Sequence, residues 1–226
     1  MPRNASQVES RLTDRGTNAL GAGYSRMMLR RRMEATGKSL LEVDVRVHEM
    51  VDPHAESRPI RALDAFSKLG DQPELRLVSS ALIVAGTLAD SDRLVRAGAR
   101  MILAHEAATF AKSAIKHRID RTRPRSADSQ SQKKPRKGAH RAKEKTSFPS
   151  GHSSGAVAAA SAFSREYPEY RGAALAAAAL ISAAQVPRRA HYVTDVIAGL
   201  AVGLLAEAVV DLAWRASRMT ERSRSG

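Results

Sequence analysis

The sequence contains no cysteine, and only 4% of its 226 residues are phenylalanine, tryptophan or tyrosine. The missing cysteine excludes disulfide bonds, thiol catalysis and metal sites built on thiolates, so cysteine usage says nothing about the cellular compartment. The few aromatic side chains disfavour nucleic-acid binding by base stacking, and no recognised nucleic-acid motif accompanies the basic residues. We therefore do not expect a nucleic acid to be the main partner.

Two other absences concern secretion and membranes. Residues 1–10 lack the apolar stretch of a signal peptide, which predicts that the chain is not secreted by cleavage of a leader. No apolar run free of charge reaches the roughly 20 residues that a spanning helix needs. Three shorter segments, 77–89, 172–187 and 196–214, are candidate spans if charged residues face the bundle interior or the membrane surface. The mean hydropathy of −0.34 instead favours a soluble or peripheral protein.

Positive charge, in contrast, is abundant, with a formal net charge of +14. An arginine triplet occupies 30–32, and segment 125–147 holds eight lysines and arginines against two acidic residues. Such surfaces attract anionic lipid headgroups or nucleic acid. We expect a flexible basic tail at 1–36 and a folded domain at 37–226, with a disordered basic loop at 125–147.

Helical patterns dominate the rest of the chain, and we predict an all-α bundle of about five or six main helices. Asp90–Ser91–Asp92 is typical of a turn followed by a helix start, and the helix is expected to reach about residue 119. Another helix is predicted from His152 to Glu166, before Tyr167–Pro168. Residues 41–48 are the exception, because strict alternation of apolar and polar residues is typical of a strand. No partner strand is visible, so strand and helix both stay open there.

Three short elements carry the residues with chemical potential. Lys116 lies seven residues before Arg123–Pro124, and the string Pro149–Ser150–Gly151–His152 follows. His191 then precedes Asp195 by four residues. Such a set combines cations, a loop suited to phosphate, and two imidazoles. It indicates a site that binds a phosphoryl group and breaks its ester bond.

The local chemistry of each element supports that interpretation. Proline disfavours helical backbone at the preceding residue, which places Lys116 in a last helical turn and Arg123 in the loop beyond. Ser150 and Gly151 precede a helix, whose N-terminal N–H groups attract phosphate. Four residues apart on a helix, His191 and Asp195 share one face, so the carboxylate can orient the imidazole.

In this order and spacing, the elements resemble the type 2 phosphatidic acid phosphatase family, which shares its catalytic plan with bacterial acid phosphatases and vanadium haloperoxidases. The resemblance extends from about Leu63 to Ala213 and implies a helical fold that is embedded in a membrane. It also implies His191 as a nucleophile that becomes phosphorylated, Asp195 as its orienting carboxylate and His152 as the acid. The implied phosphate-binding residues are Lys116, Arg123, Ser150, Gly151 and Gln185. No metal or other cofactor is expected.

One position departs from the family pattern. Gln185 stands where the family usually has an arginine, six residues before His191, and Arg188 and Arg189 offer charge nearby. Arg121 matches no fixed position of the family and receives no catalytic role, and neither does Asp120. The remaining histidines, His48, His54, His105, His117 and His140, are interpreted as structural.

The function expected from this resemblance is hydrolysis of a lipid phosphomonoester or diphosphate, such as phosphatidate or a polyprenyl diphosphate. The expected location is a membrane of the bacterial inner-membrane type, with an integral protein favoured over a peripheral one. One alternative is a catalytically weak or inactive protein of the same fold, associated with a membrane or a nucleic acid. A vanadium haloperoxidase is another. The sequence does not predict an oligomeric state.

Overall fold

The computed structural model describes residues 27–28, 31–32, 35–54, 57–127, 134–138 and 142–225. The chain divides into two compact units, 1–43 and 44–226, each of which is described by itself. The described residues of the first unit are helical. Most of the predicted tail, 1–36, lies outside the described residues, so its flexibility stays a prediction.

The described part of the second unit confirms the all-α prediction. Its only sheet there has two short antiparallel strands, which pair Ile119 with Lys137 and Asp120 with Arg136. The elements in chain order are α1 (44–51), α2 (Arg58–Ser67), α3 (Gln72–Leu88), α4 (Asp92–Lys116), β1 (Ile119–Asp120), β2 (Arg136–Lys137), α5 (Gly151–Glu166), α6 (Arg171–Ala183) and α7 (Val193–Ser225).

Helix α5 lies at the centre and packs against α4, α6 and α7. Its buried face consists mainly of alanine and serine, and such small side chains let neighbouring helices approach closely. Gly199 brings the beginning of α7 close to the beginning of α5, since a Cβ there would lie 2.5 Å from the carbonyl oxygen of Ser150. The beginnings of α5 and α7 are therefore held together, and the second and third sequence elements meet at this end of the bundle.

Residues 41–48 are helical, which resolves the choice that their alternating pattern left open. Asp44 is buried, with 2% of its surface exposed, whereas its apolar neighbour Val43 is 44% exposed. The alternation therefore does not mark one buried face. A specific polar contact, described below, decides the orientation of this segment.

Segment 125–147 is described in part. Strand β2 lies within it, and Thr146 forms an isolated parallel bridge with Arg121. Residues 128–133 and 139–141 lie outside the described residues, so disorder in that part of the segment stays a prediction.

One helix of the described chain, over Val193–Thr220, is long and apolar enough to cross a membrane, with a mean hydropathy of 2.1 over a stretch of 18 residues. The other two candidate spans fall in α3 and α6, which have 17 and 13 residues, fewer than the roughly 20 that crossing requires. Large apolar side chains are nevertheless exposed on α3, α4 and α7, including Leu77, Leu88, Phe110, Leu205, Val209 and Leu212.

Candidate active site

The ends of helices position the three sequence elements. Lys116 lies in the last turn of α4, as predicted, and Arg123 has an extended backbone with φ −64° and ψ 149°. The ammonium of Lys116 donates to the carbonyl oxygen of Thr146 at 2.6 Å, which ties the end of α4 to the segment that leads into α5. The first and second elements are thereby fixed to each other.

Ser150 caps the N-terminus of α5. Its Oγ accepts hydrogen bonds from the backbone N–H and the hydroxyl of Ser153, at 3.4 and 2.9 Å. The next residue, Gly151, is close to Lys112, since a Cβ at Gly151 would lie 3.0 Å from the lysine Nζ. A side chain here would crowd this ammonium, so glycine leaves room for the lysine beside the helix N-terminus.

A cavity of about 330 Å³ opens beside this N-terminus. Five of the eight predicted site residues line it, whereas Ser150, Gln185 and Asp195 do not. Lys112 joins them, and the beginning of α3 forms another part of the wall. The lining residues are Gly70, Asp71, Gln72, Pro73, Glu74, Lys112, Lys116, Arg123, Gly151, His152 and His191.

His191 connects this cavity to a buried carboxylate. Its Nε2 lies 3.4 Å from Nη1 of Arg123, and its Nδ1 lies 3.7 Å from Oδ2 of Asp195. Asp195 also accepts from the backbone N–H of Tyr192 at 3.0 Å and from the hydroxyl of Ser147. One imidazole nitrogen therefore faces the cationic site, while the other faces the carboxylate behind it.

Arg121, for which no catalytic role was predicted, holds Asp195 from the other side. Its Nη1 donates to Oδ1 of Asp195 and its Nη2 to Oδ2 of Asp44, each at 2.6 Å. The guanidinium also lies 3.9 Å from the ring centroid of Tyr192. All three charged groups are buried, and Arg121 forms an ion pair with each carboxylate, which fixes the position of Asp195.

Gln185 is buried and does not line the cavity. Its Nε2 donates to the carbonyl oxygen of Ile181 at 2.9 Å, and its Oε1 accepts from Nη1 of Arg188 at 3.3 Å. Arg188 is also paired with Asp64 and donates to Ser67, both on α2. In this arrangement Gln185 holds Arg188, and direct phosphate binding by its amide would require another rotamer.

The cations of the cavity repel one another in the absence of an anion. Burial lowers the pKa of Lys116 to about 7, and the neighbouring charges of Arg123 and Lys112 add to this effect. Burial also lowers the pKa of Arg123. A phosphate bound among these groups would relieve the repulsion and favour the charged form of Lys116, so the electrostatics suit an anionic ligand.

Both histidines of the cavity favour the neutral form. Burial lowers the pKa of His191 to about 4, although its contact with Asp195 acts in the opposite direction. Burial likewise lowers the pKa of His152 to about 4, against the opposing charge of Asp71. At neutral pH, His191 therefore keeps a free lone pair, which a nucleophile needs.

These two pKa values predict how stability changes with pH. A histidine with a pKa of about 4 in the folded protein and 6.5 when unfolded makes the unfolded state bind more protons between those values. The free energy of unfolding should therefore fall as pH decreases from 6.5 to 4, by about 3 kcal/mol for each such histidine. Denaturant titration across this range should show a smaller loss for His191→Gln than for wild type. The exposed His117→Gln is the control, and parallel curves for wild type and His191→Gln would contradict the assignment.

Within the described residues, no group of three or more histidine, aspartate or glutamate side chains is arranged to hold a metal ion. The charged groups at the site are instead three cations, two imidazoles and the carboxylates behind or beside them. This donor set is chemically suited to an anion rather than a cation.

Parts of this chain are similar in sequence or fold to known proteins. A segment of 57 residues is 49% identical to the lipid A 1-phosphatases of Rhizobium etli and Rhizobium johnstonii, over 25% of this chain and 25% and 23% of those proteins. The match thus spans about a quarter of the length of these curated relatives. The crystal structure of Aquifex aeolicus LpxE is similar in fold, with a TM-score of 0.52 at 17% identity, over 74% of this chain and 93% of that one.

The family comparison covers more of the chain than these relatives do. The model of the PAP2 superfamily matches residues 97–218, which is more than half of the sequence and includes all three elements of the site. The resemblance inferred from Lys116–Pro124, Pro149–His152 and His191–Asp195 is thereby confirmed, and the chain belongs to the PAP2 superfamily.

Proposed function

We propose that this chain is a phosphatase that hydrolyses the phosphomonoester or diphosphate of a lipid, and that His191 forms a covalent phosphohistidine. The observation that carries the proposal is the placement of the His191 imidazole between Arg123 and Asp195. A phosphate held by the Arg123 guanidinium would lie beside the His191 Nε2, at the position from which this nitrogen can attack phosphorus.

The residues of the cavity have separate roles in the proposed reaction. Lys112, Lys116 and Arg123 neutralise the phosphate oxygens as charge develops on them. The negative charge of the bound phosphate favours the protonated form of His152. A bond forms between His191 Nε2 and phosphorus while the bond to the leaving oxygen breaks, and that oxygen takes a proton from the His152 imidazolium. In the second step, His152 removes a proton from water, and the hydroxide displaces His191 from phosphorus. Inorganic phosphate and both histidines are then released in their original form.

The lipid nature of the substrate rests on different observations. Proteins similar to part of this chain are lipid A 1-phosphatases. The exposed apolar side chains of α3, α4 and α7 provide a surface for acyl or prenyl chains, and Val193–Thr220 meets the length and hydropathy of a membrane span. We therefore place the protein at a membrane, integral through α7, with a lipid phosphate or diphosphate as substrate.

Phosphate release from defined substrates in detergent tests this proposal. The panel should contain phosphatidate, a polyprenyl diphosphate and phosphorylated lipid A, together with short-chain alkyl phosphates, and the buffer should contain a chelator. Wild-type protein is expected to release phosphate and to prefer at least one lipid over its short-chain analogue. Release no greater than that of His191→Ala would reject the phosphatase, whereas equal rates on long and short chains would reject only the lipid specificity.

The role of His152 predicts a dependence on the leaving group. A proton donor matters most when the leaving oxygen is a poor leaving group, and general acids contribute roughly 10²–10⁴-fold to such steps. His152→Ala should therefore lose on the order of 10²-fold in kcat on an alkyl phosphate but much less on p-nitrophenyl phosphate. Equal losses on both substrates would show that His152 serves mainly to bind phosphate.

A further inference from the structure

A carboxylate in contact with His152 belongs to none of the three sequence elements. Oδ1 of Asp71 is 2.6 Å from Nε2 of His152, and both residues line the cavity. Asp71 lies 81 positions earlier in the chain, at the beginning of α3. The fold therefore brings a carboxylate from a separate helix to the imidazole that the proposed reaction uses as an acid.

The conformation of Asp71 shows that its contact with His152 replaces the usual hydrogen bond of a helix N-cap. Asp71 occupies the N-cap position of α3, with φ −69° and ψ 155°, where an aspartate usually accepts a hydrogen bond from a backbone N–H of the first turn. Its side chain makes no such bond to any described residue. Pro73, in the first turn, also removes one potential donor. The carboxylate thus forgoes the stabilising cap hydrogen bond and contacts His152 instead.

The backbone at Gly70, just before Asp71, is also packed closely against its neighbours. A Cβ at Gly70 would clash with the side chain of Ile181 and would lie 3.6 Å from Cδ2 of His152. Glycine at position 70 therefore lets the start of α3 approach both α6 and the imidazole. The backbone before Asp71 is packed so that its carboxylate can reach Nε2.

Most other charged groups near His152 oppose its protonation. Lys112 on α4, Arg123 in the following loop and Arg188 after α6 each lower the pKa of His152, in addition to the larger effect of burial. Asp71 is the neighbour that raises it. A proton donor surrounded by cations needs such a carboxylate to hold its proton until the leaving group departs.

We propose that Asp71 is a positioning residue for the proton donor, in that it orients the His152 imidazole and retains its proton for transfer to the leaving oxygen. The proton passes from His152 to the oxygen as the bond to phosphorus breaks. The two histidines of the cavity would then each have a dedicated carboxylate, Asp195 for the nucleophile and Asp71 for the acid. This inference rests on the proposed function.

Two variants that each remove one negative charge distinguish the positioning of His152 from a general electrostatic effect. Asp71→Asn keeps the shape of the side chain and removes its charge. Glu74→Gln removes the same charge from another residue of the same helix and the same cavity. Asp71→Asn is expected to lower kcat on an alkyl phosphate by on the order of tenfold more than on p-nitrophenyl phosphate. Glu74→Gln should leave the ratio of the two rates unchanged.

The double variant Asp71→Asn/His152→Ala should be no slower on the alkyl phosphate than His152→Ala, because Asp71 acts through His152. If the kcat losses of the two single variants add in the double variant, the proposal is overturned. It is also overturned if Asp71→Asn loses equal kcat on both substrates. In either case an active wild type would still support the phosphatase. A wild type inactive on both substrates would instead reject the proposed function and this inference with it.

A measurement without turnover gives an independent answer. Histidine-selective NMR of the full chain, assigned with His152→Gln, should show a lower pKa for His152 in Asp71→Asn than in wild type. Glu74→Gln should shift it less. An unchanged His152 pKa in Asp71→Asn would overturn the proposal whatever the activity of the protein.

Discussion

Replacing His191 by alanine is expected to reduce phosphate release by at least about 10³-fold on every substrate, because it removes the atom that attacks phosphorus. Unlike the His152 variant, it should not be rescued by an activated aryl phosphate, since a better leaving group does not supply a nucleophile. Initial rates on an alkyl phosphate and on p-nitrophenyl phosphate measure both expectations.

The matched control is His117→Ala, which removes an exposed imidazole at the end of α4. Its rates should equal those of wild type. Thermal denaturation of each variant shows whether the fold is intact. If a folded His191→Ala kept more than a tenth of wild-type activity, another nucleophile would have to be sought.

Replacing Arg121 by methionine is expected to lower the free energy of unfolding by about 3–5 kcal/mol, because it leaves the buried carboxylates of Asp44 and Asp195 without their cation. Methionine has a similar length and no charge, so the loss reports the ion pairs more than the packing. Activity should fall as well, since Asp195 loses the group that fixes its position. Denaturant titration measures the first effect, and kcat on p-nitrophenyl phosphate the second.

Arg118→Met provides the comparison, since Arg118 is an exposed arginine three residues earlier in the same segment. Its free energy of unfolding should stay within about 0.5 kcal/mol of wild type, as is usual for surface substitutions. Equal stability of the Arg121 and Arg118 variants would show that the buried pairs contribute little, and that Asp195 is held by Ser147 and the Tyr192 backbone instead.

The sequence predicted those parts of the site that depend on local chemistry. Proline after Arg123 placed Lys116 in the last turn of a helix, and the small residues after His152 predicted the central helix α5. The family resemblance grouped the three elements into one site, and the PAP2 superfamily model confirms the family. These features can be predicted because each is determined by residues within a few positions of one another.

The remaining features depend on contacts between distant segments. Asp44 and Arg121 are 77 positions apart, and no local pattern showed that this aspartate would be buried while Val43 stays exposed. The sequence analysis assigned no role to Asp71, because an N-cap aspartate and one that turns to an imidazole have the same sequence context. Gln185 was assigned to phosphate by its position in the motif, yet its amide contacts Ile181 and Arg188. The assignment of phosphate binding to Gln185 and to the N-cap Ser150 stays a prediction.

The central claim is that the reaction forms a covalent phosphohistidine intermediate at His191. The stereochemical course at phosphorus tests this claim most directly. A phosphatase with a covalent intermediate makes two in-line displacements, each of which inverts the configuration. Hydrolysis of a substrate made chiral at phosphorus by isotopic and sulfur substitution should therefore proceed with net retention. Net inversion would contradict the account, because it would mean that water attacks phosphorus directly and that His191 is not the nucleophile.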